Sequence, residues 1–163
     1  MLSTTHIVVS LLLIQILRLD RNDAFVALVF GVFIDLDHLF GLKEYTQANG
    51  IAPLLNMDNL ANPGGHWKSL LHSPIALAVV GPLSIASRLA IPLIFWGVHL
   101  AMDAAREYLG AFSQSEAMIF LFSAFALITL RYAKFVESGH YGGIMQYFRV
   151  EGEGLRKLAY EAW

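Results

Sequence analysis

An all-α bundle of about five helices embedded in a membrane is the fold class that this sequence predicts, and three observations predict it. Hydrophobic residues make up 56% of the chain and charged residues only 15%, where a soluble domain carries roughly 25% charged. The mean hydropathy is +0.56. Five apolar segments, each dominated by Leu, Ile, Val, Phe and Ala, are too long for ordinary strands and suit helices.

The first segment covers about Thr4–Leu17. The opening "MLSTTHIVVSLLLIQIL" has no basic residue ahead of its apolar run and no small-residue cleavage pattern, so it reads as a retained helix. The second covers about Ala24–Leu42, the third Ser69–Ser87, the fourth Leu89–Ala105 and the fifth Ser113–Tyr132. Several fall short of the roughly 20 residues of a full span, so thin or tilted spans are expected. Gly81-Pro82 and Pro92 should kink or shorten the third and fourth helices. Lys43–Lys68 is long, polar and rich in Asn, Gly and Pro, which suits either a lid or binding loop over a site or a disordered linker. The expected division is a membrane-embedded domain, 1–135, and a tail, 136–163. The tail's end, "EGLRKLAYEAW", reads as a short amphipathic helix lying on a surface.

There is no cysteine, so disulfides and thiolate metal sites are excluded. A net charge of −2 and the lack of a basic run give no reason to expect nucleic acid. If the segments alternate across a bilayer, one side holds Arg18, Arg21, Arg88, Arg131, Lys134, Arg149, Arg156 and Lys157. The other holds Lys43, Lys68 and Arg106. The excess of positive charge puts the first side in the cytoplasm of a cell inner membrane.

The polar residues then gather at the outer, extracytoplasmic end. His6 starts the first helix; Asp35, Asp37 and His38 end the second; His66 and His72 open the third; His99 and Asp103 lie late in the fourth. Positions 99 and 103 share a helix face, as do 35 and 38. Asp37 points elsewhere on a regular helix, in a supporting or catalytic place, and becomes a ligand if the helix unwinds.

Charges buried in a membrane helix cost roughly 2.5–3.5 kcal/mol each. Three gathered carboxylates repel one another, and a divalent cation neutralises them while neutral imidazoles complete its shell. The candidate ligands are His6, Asp35, His38, His72, His99 and Asp103, around one or two ions, with zinc or manganese suiting the mixture. A single dication against three carboxylates leaves −1 and two leave +1, so a pair favours an anionic phosphoester. Such a centre acidifies water to a pKa near 7 for zinc. Asp37 and His66 are the candidates for moving the proton. The expected function is hydrolysis, with a lipid or other small phosphoester as substrate and the bilayer as partner. Two other readings fit: a divalent-metal transporter or sensor, and a structural membrane protein pinned by a metal. Polar residues clustered at one depth suit an ion pathway less well.

The succession "THIVVS", "DLDH", "HWKSLLHSP", "HLAMD" resembles the YdjM-like family of membrane-bound, metal-dependent hydrolases. The resemblance covers roughly His6 to Asp103. It implies a multi-helix membrane protein with a divalent-metal centre. The early His of that family matches His6, and its Asp-x-Asp-His motif matches Asp35, Asp37 and His38. Its next motif, His-Arg-x-x-x-His-Ser, matches His66, His72 and Ser73, and its His-x-x-x-Asp matches His99 and Asp103. The chain departs from the family in having Trp67 in place of the usual Arg, and one extra residue between His66 and His72. Lys68 can replace the Arg as a point charge but not as a bidentate fork. The His-x-x-x-Asp element also resembles, more loosely, zinc-dependent phospholipases C.

Overall fold

The computed structural model describes residues 3–37, 46–47, 50, 71–109 and 114–161. Among these residues the chain is helical and contains no strand. It forms two compact units, Met1–Ala124 and Phe125–Trp163.

Helix α1 (Ser3–Ile16) follows an unbroken apolar run. It ends where Arg18 takes a left-handed conformation, φ 52°. The Leu19 amide reaches back to the Ile14 carbonyl at 3.2 Å and so satisfies one of the helix's last acceptors. Asp20 then starts α2 (Arg21–Gly31), its carboxylate accepting from the amides of Asn22 and Asp23, each at 2.9 Å.

The second apolar segment does not continue as one helix. Val32 leaves helical geometry (φ −136°, ψ −55°), and Phe33–Asp37 follow as a 3-10 turn. Asp35 therefore projects from a turn, not from the regular helix face expected of it. Helix α2 thus stops after Gly31, at the Val32 break. The third segment is shorter than expected too. Its α-helix, α3, covers Leu77–Ala86 behind a 3-10 turn at Pro74–Ala76. Proline 74 biases Ser73 away from helical geometry, so His72 sits in the turn before the helix. Pro82 lies inside α3, as expected, and removes one backbone donor.

Leu89 and Ala90, both at positive φ (56° and 48°), join α3 to α4 (Ile91–Leu109). Pro92 does not kink α4: it occupies the first turn, where its missing N–H is not needed. The fifth segment is α5 (Gln114–Glu137). Among the described helices, α5 is the one long and apolar enough to cross a membrane. The apolar stretches Thr4–Ile16, Leu77–Ala86 and Ile91–Ala105 are shorter.

In the first unit α2 packs on α4, α1 on α2, and α3 on α4. The centre is Ala27, Ile91 and Phe95, with Leu13, Ile14, Val26 and Phe30 around it. The buried positions also include Thr5, His6, Ser10, Ser84 and His99. Large apolar side chains such as Ile7, Leu11, Phe25, Val79 and Ile85 stand exposed on the same helices. Several polar groups thus face in beside the apolar centre, while many large apolar side chains face out.

In the second unit α5's end turns at Gly139, whose φ of 87° suits glycine. Helix α6 (Ile144–Glu161) follows and is longer than the short helix expected. Its Tyr147 is buried against Tyr132 and Phe135, ring centroids 6.0 and 5.7 Å away. Burial, then the nearby Glu151 carboxylate, raises the Tyr147 phenol above its ordinary pKa, so the ring stays neutral. Arg131 meets Glu151 at 3.5 Å. Tyr132 donates to the Gly142 carbonyl at 3.2 Å.

At Gly31, α2 packs tightly on Ser10 of α1 and Phe95 of α4. A Cβ there would lie 2.5 Å from Ser10 Oγ and 3.1 Å from Phe95 Cδ1. Gly31→Ala is expected to lower stability by about 1–3 kcal/mol through overpacking. Adding Ser10→Ala should recover part of that loss, a coupling measurable by unfolding the four members of a double-mutant cycle.

Candidate metal centre

Three separate stretches deliver the cluster. The turn after α2 carries Asp35, the turn before α3 carries His72, and α4 carries both His99 and Asp103. One donor atom from each of these four residues lies within 4.8 Å of all the others.

The separations are short. His72 Nε2 and His99 Nε2 are 2.8 Å apart. Asp35 Oδ1 lies 3.3 Å from His72 Nε2 and 3.2 Å from His99 Nε2. Asp103 Oδ2 lies 3.4 and 3.3 Å from the same two nitrogens. The other oxygen of Asp103, Oδ1, faces His6 Nε2 at 3.4 Å. The His6 ring is stacked on His99, centroids 4.2 Å apart. Asp103 therefore spans the four-residue cluster and His6.

The tautomer of His99 follows from its other nitrogen. Nδ1 is 3.1 Å from the Gly31 carbonyl oxygen, which can only accept, so Nδ1 carries a proton. In the neutral ring, Nε2 then presents a lone pair toward Asp35, His72 and Asp103. A metal-bound histidine is commonly held in this way, its second nitrogen donating to a backbone carbonyl. A lone pair facing two carboxylates repels them unless a cation, a proton or a metal, sits between. The two carboxylates, with oxygens within 4.8 Å of each other, also repel, by roughly 3–4 kcal/mol at an effective dielectric near 20.

The donor set fits a metal. With metal–ligand distances of about 2.1 Å, donor atoms should be about 3.0 Å apart around an octahedral ion and about 3.4 Å apart around a tetrahedral one. Of the six donor separations within the cluster, four fall between 3.2 and 3.4 Å, the two imidazole nitrogens are 2.8 Å apart, and the two carboxylate oxygens lie within 4.8 Å of each other. Two imidazoles and two carboxylates suit a borderline divalent ion. The cluster has a closed floor and an open rim. His99 and His6 are 0% and 1% exposed, whereas His72, Asp35 and Asp103 are 17%, 25% and 32% exposed.

Of the residues singled out in the sequence, the fold thus gathers His6, Asp35, His72, His99 and Asp103. His38, His66 and the side chain of Asp37 lie outside the described residues. Two further residues were not anticipated. Gly31 supplies the carbonyl that orients His99. Trp96 donates its indole N–H to the Leu71 carbonyl at 2.9 Å, tying the turn that carries His72 to α4. Trp96, His99 and Asp103 stand at i, i+3 and i+7, so their spacing alone places the indole on the ligand face.

No protein-family model, curated protein or solved structure matches this chain.

Trp96→Phe keeps an aromatic ring in place and removes the donor to Leu71. We expect it to weaken divalent-metal binding by about 10–100-fold, the usual cost of losing a group that positions a ligand. Metal titration of the purified protein checks this, with unchanged helix content by circular dichroism as the control.

Proposed function

We propose that the chain is a membrane-bound, metal-dependent hydrolase, related to the YdjM-like family and acting on a phosphoester of a lipid or lipid-like molecule. The observation that carries the reading is the convergence of Asp35, His72, His99 and Asp103 at the spacing of a metal's coordination shell. Those four residues hold the ion, zinc or manganese, with His38 and His6 as further donors. His6, which faces the second oxygen of Asp103, suits a second ion bridged by that carboxylate.

When bound, a divalent ion supplies Lewis acidity toward a phosphoryl oxygen and makes water acidic enough to serve as a nucleophile near neutral pH. The residues do the rest. Asp35 and Asp103 cancel one dication's charge and leave a neutral centre that an anionic phosphoester can approach. The half-exposed side of the cluster admits the headgroup, and buried His99 and His6 close the other side. Asp37 and His66 are the proposed proton carriers.

The many exposed apolar side chains support the membrane setting. Ile7, Leu11, Phe25 and Ile85 face outward while Thr5, His6, Ser10, Ser84 and His99 are buried among the helices beside an apolar centre, as expected where lipid is the solvent. In this reading the short apolar helices cross or enter the bilayer alongside α5, and the charge asymmetry of the loops puts the site on the extracytoplasmic side.

Protein purified in detergent should contain zinc or manganese. Its removal by a chelator should lower the unfolding temperature, since an ion at 100 times its Kd stabilises by about 2.7 kcal/mol. Asp103→Ala should lose both the metal and the hydrolysis of a panel of lipid phosphoesters. Asp37→Asn should keep the metal and lose at least about 100-fold in rate, as removal of a proton carrier does. Wild-type protein that takes up no metal would sink the centre. Bound metal with ion flux into liposomes and no hydrolysis would instead assign transport.

A further inference from the structure

The second unit presents a surface that the metal centre does not use. Helix α6 is 18 residues long and two-sided. Ile144 and Phe148, four residues apart, share one face, and both are exposed with Met145 beside them. Glu153 lies on the opposite face and Arg149 and Arg156 on the flank between, all three exposed. This division is that of a helix lying between an apolar and an aqueous phase.

The helix is held where α5 loses its apolar character. The apolar stretch of α5 gives way to Arg131, Lys134 and Glu137. The α6 contacts fall on that same stretch: Tyr147 on Tyr132 and Phe135, and Glu151 on Arg131. One turn of α6 is thus pinned to the polar end of α5, and the Ile144–Phe148 face remains outside the seam. Nearer the N-terminus of α5, on the side that carries Tyr132 and Phe135, Phe125 and Ile128 are exposed. Tyr141, almost fully exposed at the joint, is a residue type enriched where membrane meets water.

We infer that α6 is an interfacial helix whose Ile144–Phe148 face lies in the headgroup–acyl boundary of a phospholipid bilayer, at the level where α5 leaves the hydrocarbon. The inference rests on the membrane setting proposed above. Its occupant is lipid because α6 is pinned to the polar end of α5, the described helix long and apolar enough to cross a membrane, and because Arg149 and Arg156 flank its apolar face, where lipid phosphates are in reach.

The chain has no native cysteine, so single-cysteine labelling needs no background removal. The full-length variants Ile144→Cys, Phe148→Cys, Glu153→Cys and Phe125→Cys would each carry a nitroxide in vesicles of phosphatidylcholine and phosphatidylglycerol. Labels at 144 and 148 are expected to collide several-fold more with oxygen, relative to a water-soluble nickel chelate, than the label at 153. The label at 125 should be more lipid-exposed still. If 144 and 148 match 153 while 125 stays in lipid, the interfacial helix is wrong and the membrane setting stands. If 125 is aqueous too, the membrane setting itself falls. Dipolar broadening at 148 that disappears on dilution with unlabelled protein would show a second copy on this face and overturn the assignment to lipid.

Discussion

The hydrogen bond from His99 Nδ1 to the Gly31 carbonyl joins the architecture of the first unit to its chemistry. It needs α4 to lie close to the end of α2, and the missing Cβ of Gly31 allows that approach. It also fixes which nitrogen of His99 faces Asp35 and Asp103. One backbone acceptor therefore sets a helix contact, a ring orientation and a tautomer together. The apolar centre of Ala27, Ile91 and Phe95 lies on the same two helices and holds them at that distance.

A second constraint comes from the helix breaks. Asp35 and His72 both stand in turns, one after α2 and one before α3. Turns can carry donors toward a point that helix faces alone do not reach, but they need anchoring. The indole of Trp96 anchors the second of them through Leu71, while the first is short and leaves α2 directly. Asp103 comes from the middle of a helix and needs no such help. The ligand set thus combines a rigid half, His99 and Asp103, with two donors carried on turns.

The rigid half was legible in the sequence. A four-residue spacing within an apolar helix places two side chains on one face whatever the tertiary fold, and that is where His99 and Asp103 are found. The grouping of His6 and His72 with them followed from the apolar segments, which bring distant residues to one end. What was not legible has physical causes. The apolar run through positions 24–42 hides the break at Val32, because hydrophobicity alone does not distinguish a helix from a 3-10 turn. Trp96 reads as another aromatic in an apolar helix, and its hydrogen bond depends on a carbonyl 25 residues earlier. Helix α6 runs through Gly152 and Gly154, which local propensity would take as breaks; the two-sided pattern prevailed over propensity there.

The inward-facing polar groups have a thermodynamic consequence. The positive heat capacity of unfolding comes mainly from newly wetted apolar surface, and wetted polar surface subtracts from it. Beneath its exposed leucines and phenylalanines, the first unit buries Thr5, His6, Ser10, Ser84 and His99 beside a small apolar centre. Wetting those polar groups subtracts from the heat capacity that wetting Ile34, Val80, Ile91 and Phe95 supplies. The stability curve of the unit should be flatter in temperature than that of a variant whose buried Thr5, Ser10 and Ser84 were replaced by apolar residues of similar size.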